Sequence, residues 1–479
     1  MAESSKYFVT PGIVVLSDDQ KERVHEFSVR ILETTGIRVE SDRARKIFAR
    51  SRSVIIKDDV VYIKRELIDR SIKTARSEIE IYNRSGDHLF KLGKEQEGGT
   101  RFGIGVTNTS FQEIETDMVV PFTRGHMKIS SRLGDILPNF DMISTLGIPS
   151  DLPPSEIDLY NTLDMYANTA KPLVLLISES KNINRVFDLL SFLHGDISSS
   201  PFAMLYLNLI TPLVLNESTT DKMIAALERG LPVIFSNYSM YGATSPMTEA
   251  GTLALLNAEL LAGLVLSQLV KEGSKIILGS LPAGFDMKIM GSYYSPSSYL
   301  LNLACAEMMD HYDIPHCGTS GSGRGWGPDL IASGHLWMNH LTSCLGKVGM
   351  APFVGGNFDS LAFSPATAVL SDHIIGEARK FASGFSLADE RIGLDEIKDT
   401  GHGGNYFLSR YTIESLHEPG GSDEVWPPLN LNKWNDSANP TAKSILIDRT
   451  MELYSEASRL SGESEYLTGR GESFIKNNG

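Results

Sequence analysis

"PVIFSNYSMYGATSPMTEAGTLALLNAELLAGLVLSQLVKEGSKIILGS", residues 232–280, holds two short apolar runs separated by one long helical pattern. The first run, "PVIFSNYS" (232–239), is continuous rather than alternating, as in a strand covered on both faces. Turn signals follow it, then a helix that Ser245 can cap with Pro246 at its first position. Gly273 closes that helix, and "KIILGS" (275–280) opens the next run. Strand, helix and strand in this order imply parallel neighbours in one sheet.

The unit repeats in both directions. Upstream lie "RFGIGV" (101–106), "FDMISTLGI" (140–148), "PLVLLIS" (172–178) and "FAMLYLNLI" (202–210). Downstream lie "IPHCGTS" (314–320) and "APFVGGNF" (351–358). Runs at intervals of roughly 30–40 residues match a strand–loop–helix–loop unit. The pattern predicts an α/β fold, a (β/α)8 TIM-type barrel over residues 99–384, with an open doubly wound sheet as the alternative. Residues 1–98 form an N-terminal extension: a helix, "DDQKERVHEFSVRILETTG", capped by Ser17 or Asp18, then "EIEIYN" and "HLFKLG" joined as a hairpin by "RSGD". Residues 385–479 are polar and aromatic and end in the helix "AKSILIDRTMELYSEASRL", a C-terminal extension expected to wrap the barrel.

Composition narrows the partners. The chain has 479 residues and a formal net charge of -15, a poor match to nucleic acid, which is bound through clustered Lys and Arg. Cys305, Cys317 and Cys344 are odd in number and far apart, against a disulfide framework or a structural zinc site. The apolar segment 251–270 contains Asn257 and Glu259 and reads as a buried helix rather than a membrane span. The first residues lack the basic region of an export signal. A cytoplasmic globular protein is expected, with no nucleic-acid or membrane partner, and self-association into a homo-oligomer is common for large barrels.

Barrel enzymes place their chemistry at the C-terminal ends of the strands. The residues there include Asn108, Thr109, Ser178, Glu179, Asn208, Thr211, Asn237, Tyr238, Tyr241, Phe285, Asp286, Arg324, Trp326, Asn357 and Phe358. Aromatics are many and carboxylates few, Glu179 and Asp286 being the nearest to an acid pair. Dinucleotide and P-loop spacings are missing, and "SESK" (178–181) has no companion motifs. His335 and His340 stand five apart, on different faces of a helix, so no metal site is expected. A mouth rich in rings and poor in bases suits a quaternary ammonium, which ring faces attract and which has no proton to exchange. Phe285, Trp326, Phe358, Tyr238 and Tyr241 would cage the cation, with Asn237 and Asn357 beside them, and Arg324 would pair with an acid group on the same molecule.

The segment 236–280, with "ANTAKPLVL" (167–175), "GHGGNYF" (401–407) and "VWPPLNLNKW" (425–434), resembles the trimethylamine methyltransferase (MttB-like) superfamily along nearly the whole chain. The resemblance implies a (β/α)8 barrel that moves a methyl group from an amine to the Co(I) of a separate corrinoid protein, with no tightly bound cofactor of its own. The trimethylamine enzymes carry pyrrolysine after the seventh strand, just before a Pro-Asp step. Here that stretch reads "GRGWGPDL" (323–330), with ordinary residues. The chain therefore resembles the branch without pyrrolysine, for which glycine betaine is the best-known substrate and dimethylglycine the product. Proline betaine, carnitine and γ-butyrobetaine are alternatives, as is a barrel that binds a small molecule without catalysis. Gly321, Gly323 and Gly325 would let the loop lie close to the substrate and leave room for the corrinoid.

Overall fold

The computed structural model describes residues 7–93, 98–319, 321, 324–416, 425–462 and 464–477. Among them, eight parallel strands close into a barrel. They are β1 Arg101–Ile104, β2 Met142–Ser144, β3 Leu173–Leu175, β4 Ala203–Asn208, β5 Val233–Tyr241, β6 Ile276–Asp286, β7 His316–Cys317 and β8 Met350–Val354. Each pairs with the next, and β8 returns to β1 with Met350 opposite Arg101. The helix of the same number follows each strand: α1 Arg124–Ile136, α2 Ile157–Asn168, α3 Ile183–His194, α4 Glu217–Glu228, α5 Glu249–Val270, α6 Pro296–His311, α7 Leu330–Leu345 and α8 Pro365–Ser383. All eight strands fall on the apolar runs read from the sequence. The barrel, rather than the open sheet, is the fold.

Side chains alternate between lumen and helix layer along each strand. Met142, Val174, Met204, Ile234, Ile277, Cys317 and Met350 point inward and form one cluster. Four residues of the hairpin Glu78–Tyr82/His88–Gly93 complete it: Ile79, Ile81, Phe90 and Leu92. The Tyr82 and Arg84 amides donate to Pro201 and Ala170 carbonyls, just ahead of β4 and β3. The hairpin therefore seals the N-terminal end of the lumen. A two-stranded hairpin is marginal alone; burying each large apolar side chain here contributes about 1.5–3 kcal/mol.

The remaining extensions lie outside the helix ring. Ser17 caps the helix Asp18–Thr34 in a reciprocal pair with Gln20, and that helix packs on α5. Ser28 and Tyr312 hydroxyls both meet the Asn257 amide of α5. Among the described residues only α5 is long and apolar enough to cross a membrane, and most of it is buried inside the fold. Its start differs from the sequence expectation. Thr248, not Ser245, is the cap, because the Met240 carbonyl holds Ala243, Thr244 and Ser245 in a turn. Helix Ala442–Gly462 packs on α1 and α8, and Glu465–Asn477 on α2 and α3.

Candidate active site

Above the sealed half, the lumen floor is made of Tyr206 and Phe353, edge to face at 4.6 Å. The Tyr206 hydroxyl lies 3.2 Å from Asn208 Oδ1. Val106, Leu176 and Leu281 pack on this floor but are only partly buried, and Asn208 is exposed, so the C-terminal end of the lumen is open. Burial pushes the Tyr206 phenol far above its ordinary range and the Cys317 thiol to about 12. The floor therefore carries no charge near neutral pH.

β5 and β6 overrun the other strands and stay paired as far as Tyr241 and Gly284, raising a wall on one side of the mouth. Alternation turns Tyr238 and Met240 inward, with Leu281, Ala283 and Phe285 beside them. The chain then doubles back as the strand Gly291–Tyr293, with Ser292 opposite Phe285. The Ser292 hydroxyl donates to Asp359, the Tyr294 hydroxyl also bonds it, and Tyr238 stands next to both. Burial pushes the Asp359 carboxyl up, and the Tyr294 hydrogen bond opposes that.

Asp359 sits in an unusual turn. Phe358, Asp359 and Ser360 have φ of 53°, 56° and 63°, and the Leu361 amide donates to the Asn357 carbonyl at 3.1 Å. This is one left-handed helical turn built without glycine, which costs about 1–2 kcal/mol per residue. Its surroundings fix it. Asn357 Nδ2 donates to Gln112 Oε1 at 2.7 Å and to Thr367 Oγ1 at 2.9 Å, and the Phe358 amide donates to the Gly325 carbonyl at 3.0 Å.

The loop after β7 supplies the other side of the rim. Arg324 is exposed, its guanidinium 6.0 Å from the Tyr293 ring centre, with no carboxylate partner among the described residues. Trp326 is 67% exposed. Its amide donates to Asp329 Oδ2 at 2.9 Å, and its carbonyl accepts from Gln112 Nε2 at 2.6 Å. Asp329 also caps α7 through the Ala332 amide. Gln112, on a short strand Ser110–Gln112, thus ties the Trp326 loop to the left-handed turn. Gln112→Ala should destabilise the fold by about 1–3 kcal/mol, because the buried Asn357 amide loses an acceptor. Limited proteolysis should find faster cleavage near Trp326; unchanged cleavage and stability would mean the tie is idle.

The sequence candidates divide accordingly. Alternation turns Tyr238 and Phe285 to the inward wall, Phe358 opens the left-handed turn, and Arg324 and Trp326 stand on the rim. Asn237 and Tyr241 turn the other way: Asn237 Nδ2 donates to the Leu256 carbonyl and Glu259, and the Tyr241 hydroxyl meets Ser295 at 2.8 Å. Asn357 is buried beneath the turn as its tie. Glu179 lies 3.7 Å from Lys181, and Asp286 closes its own turn by accepting from the Lys288 amide. Gly321 and Gly325 meet protein: a Cβ would come 2.8 Å from the Phe353 carbonyl oxygen and 2.6 Å from Ala332 Cβ respectively. Gly323 lies outside the described residues. Sequence reasoning missed Tyr206, Ser292, Tyr294, Asp359 and Gln112. Tyr206 was within reach, since it shares a face with Asn208 two residues on.

The barrel is plugged below and opens above onto aromatic side chains at its C-terminal mouth, the end at which barrel enzymes carry their chemistry. The chain belongs to the trimethylamine methyltransferase (MTTB) family, whose model matches residues 6–447, and it is a methyltransferase. It is 25% identical over 460 residues to the trimethylamine methyltransferase MttB of Desulfitobacterium hafniense, covering 92% of this chain and 91% of that one. To the glycine betaine methyltransferase of another strain of that organism it is 25% identical over 422 residues, 84% of each chain. The solved monomethylamine methyltransferase MtmB of Methanosarcina barkeri shares its fold, with a TM-score of 0.54 over 95% of this chain and 89% of that one at 10% identity.

Proposed function

We propose that this enzyme transfers a methyl group from a quaternary amine, glycine betaine foremost, to the corrinoid of a separate protein, releasing dimethylglycine. The observation that carries the reading is the inward wall of Tyr238 and Phe285 above an uncharged floor. Family membership, the glycine betaine relative and the ordinary residues of "GRGWGPDL" support it. The corrinoid, held by its own protein, supplies a reduced cobalt nucleophile for the methyl carbon. A quaternary nitrogen already carries its positive charge and leaves as a neutral amine, so no protein base is needed. This chain's residues have two tasks: to hold one methyl outward, and to keep water from the reacting carbon. Tyr238 and Phe285 bind the ammonium. Arg324 takes the carboxylate, and Trp326 covers the site from the rim. The exposed Met287, Ile289, Met290 and Leu361 make that rim apolar, fitting a protein partner that sits over the mouth.

Calorimetric titration with glycine betaine, proline betaine, carnitine and γ-butyrobetaine tests the reading, followed by incubation with a reduced corrinoid protein and assay for the demethylated amine. Arg324→Ala and Trp326→Ala should each weaken betaine binding by roughly 10-fold. Unchanged affinity in both variants would remove these two roles. A wild-type enzyme that binds and demethylates none of the four would overturn the proposal.

A further inference from the structure

Two charged groups at the mouth, Asp359 and Arg324, lack an ion-pair partner among the described residues. Asp359 is bonded by the hydroxyls of Ser292 and Tyr294 and has no Lys, Arg or His ion-pair partner among the described residues. Arg324 lies against the ring of Tyr293 and has no carboxylate partner there either. Ser292 and Tyr293 are consecutive on one return strand, so their side chains face opposite ways. The aspartate is thus on the inward side and the arginine on the outer rim.

We infer that Asp359 is a cation-recognising residue of this site, holding the substrate's ammonium by charge at the inward wall, beside Tyr238 and Phe285. This deepens the proposed function and rests on it for the location of the site. A half-buried carboxylate without a counter-charge is unfavourable, and here it is kept in a left-handed turn that also forces Phe358 and Ser360 into a backbone region their side chains disfavour. Strain of this kind persists where the surroundings hold a residue in place for a purpose. A quaternary ammonium donates no hydrogen bond, so Ser292 and Tyr294 keep their places on Asp359 while the cation settles against the carboxylate by charge alone. With no proton on that nitrogen, Asp359 attracts without acting as a base.

The test separates charge from shape. Tert-butylacetate has the size and form of glycine betaine but carries carbon in place of the charged nitrogen; tetramethylammonium is the cation alone. By calorimetry the wild-type enzyme should prefer glycine betaine to tert-butylacetate by about 100-fold. Asp359→Asn, chosen because Asn tolerates the left-handed region, should reduce that preference to a few-fold and weaken tetramethylammonium to match. Ser292→Ala, a milder change, should lower the same ratio in part. A ratio unchanged in both variants overturns the inference, whatever their affinities. If glycine betaine does not bind but tetramethylammonium does, and Asp359→Asn abolishes it, the proposed substrate falls and the cation site stands. If neither cation binds the wild-type enzyme, both fall.

Discussion

Arg124→Ala should lower the unfolding free energy by about 3–5 kcal/mol, the range for removing one partner of a buried ion pair. Arg124 opens α1 and grips Asp164 of α2 with two bonds, Nε to Oδ2 at 2.7 Å and Nη2 to Oδ1 at 2.9 Å. Asp164 is fully buried. Burial pushes its carboxyl up, and the guanidinium holds it down. Without the arginine, Lys128 at 4.0 Å is the cation left nearby. The variant also loses the contact of Nη2 with Glu472 at 2.9 Å, which ties the last helix to the barrel, and the stacking of the guanidinium over Tyr160. Urea unfolding of the single variant and of Arg124→Ala/Asp164→Asn checks the cause. The double variant should regain much of the loss, because the orphaned charge is gone. A single variant within about 0.5 kcal/mol of wild type would show that the pair contributes little.

The second large effect depends on pH. Glu259 of α5 is fully buried, and its carboxyl accepts from Thr211 Oγ1 at 2.9 Å, the Leu213 amide at 2.7 Å and Asn237 Nδ2 at 2.9 Å. None of these partners is charged. Burial raises its pKa from 4.5 to about 7, and the three hydrogen bonds pull it back only in part. The folded state therefore holds this proton more tightly than the unfolded chain does. Its contribution to stability is complete below pH 4.5 and is lost as pH rises through 7, a difference of about 3 kcal/mol. Glu259→Gln cannot titrate, and its amide nitrogen can donate to Thr211 Oγ1 while its oxygen accepts from the Leu213 amide. Unfolding free energies of both proteins from pH 4.5 to 8 should diverge in slope, with the wild type falling relative to the variant. Parallel curves would refute the assignment.

The barrel was legible because strands covered on both faces read as unbroken apolar runs, and Gly, Pro and Ser mark their ends. The same property hid the direction of each side chain. In "PVIFSNYS" both alternating sets are apolar or small, so nothing distinguished inward Ser236 and Tyr238 from outward Asn237. The mouth was legible only in part. "LPAGFDMKIMGSYY" (281–294) mixes turn and strand signals, and the overrun of β6 with its return strand depends on pairing with β5. The left-handed turn at Phe358–Ser360 has no glycine to announce it. It is imposed by Asn357, Gln112 and Gly325, contacts that a single chain does not spell out.

Closure of the ring has a consequence for how the protein is made. Arg101 pairs with Met350, about 250 residues further along, so the last staves of the barrel must leave the ribosome before the first is locked. That one pairing closes a loop of nearly the whole barrel, whose chain entropy must be overcome before the contact forms. Until then the hairpin at 78–93, synthesised before any of the eight strands, has no cylinder to plug. Its Ile79, Ile81, Phe90 and Leu92 remain open to water in the nascent chain, a natural point of engagement for chaperones.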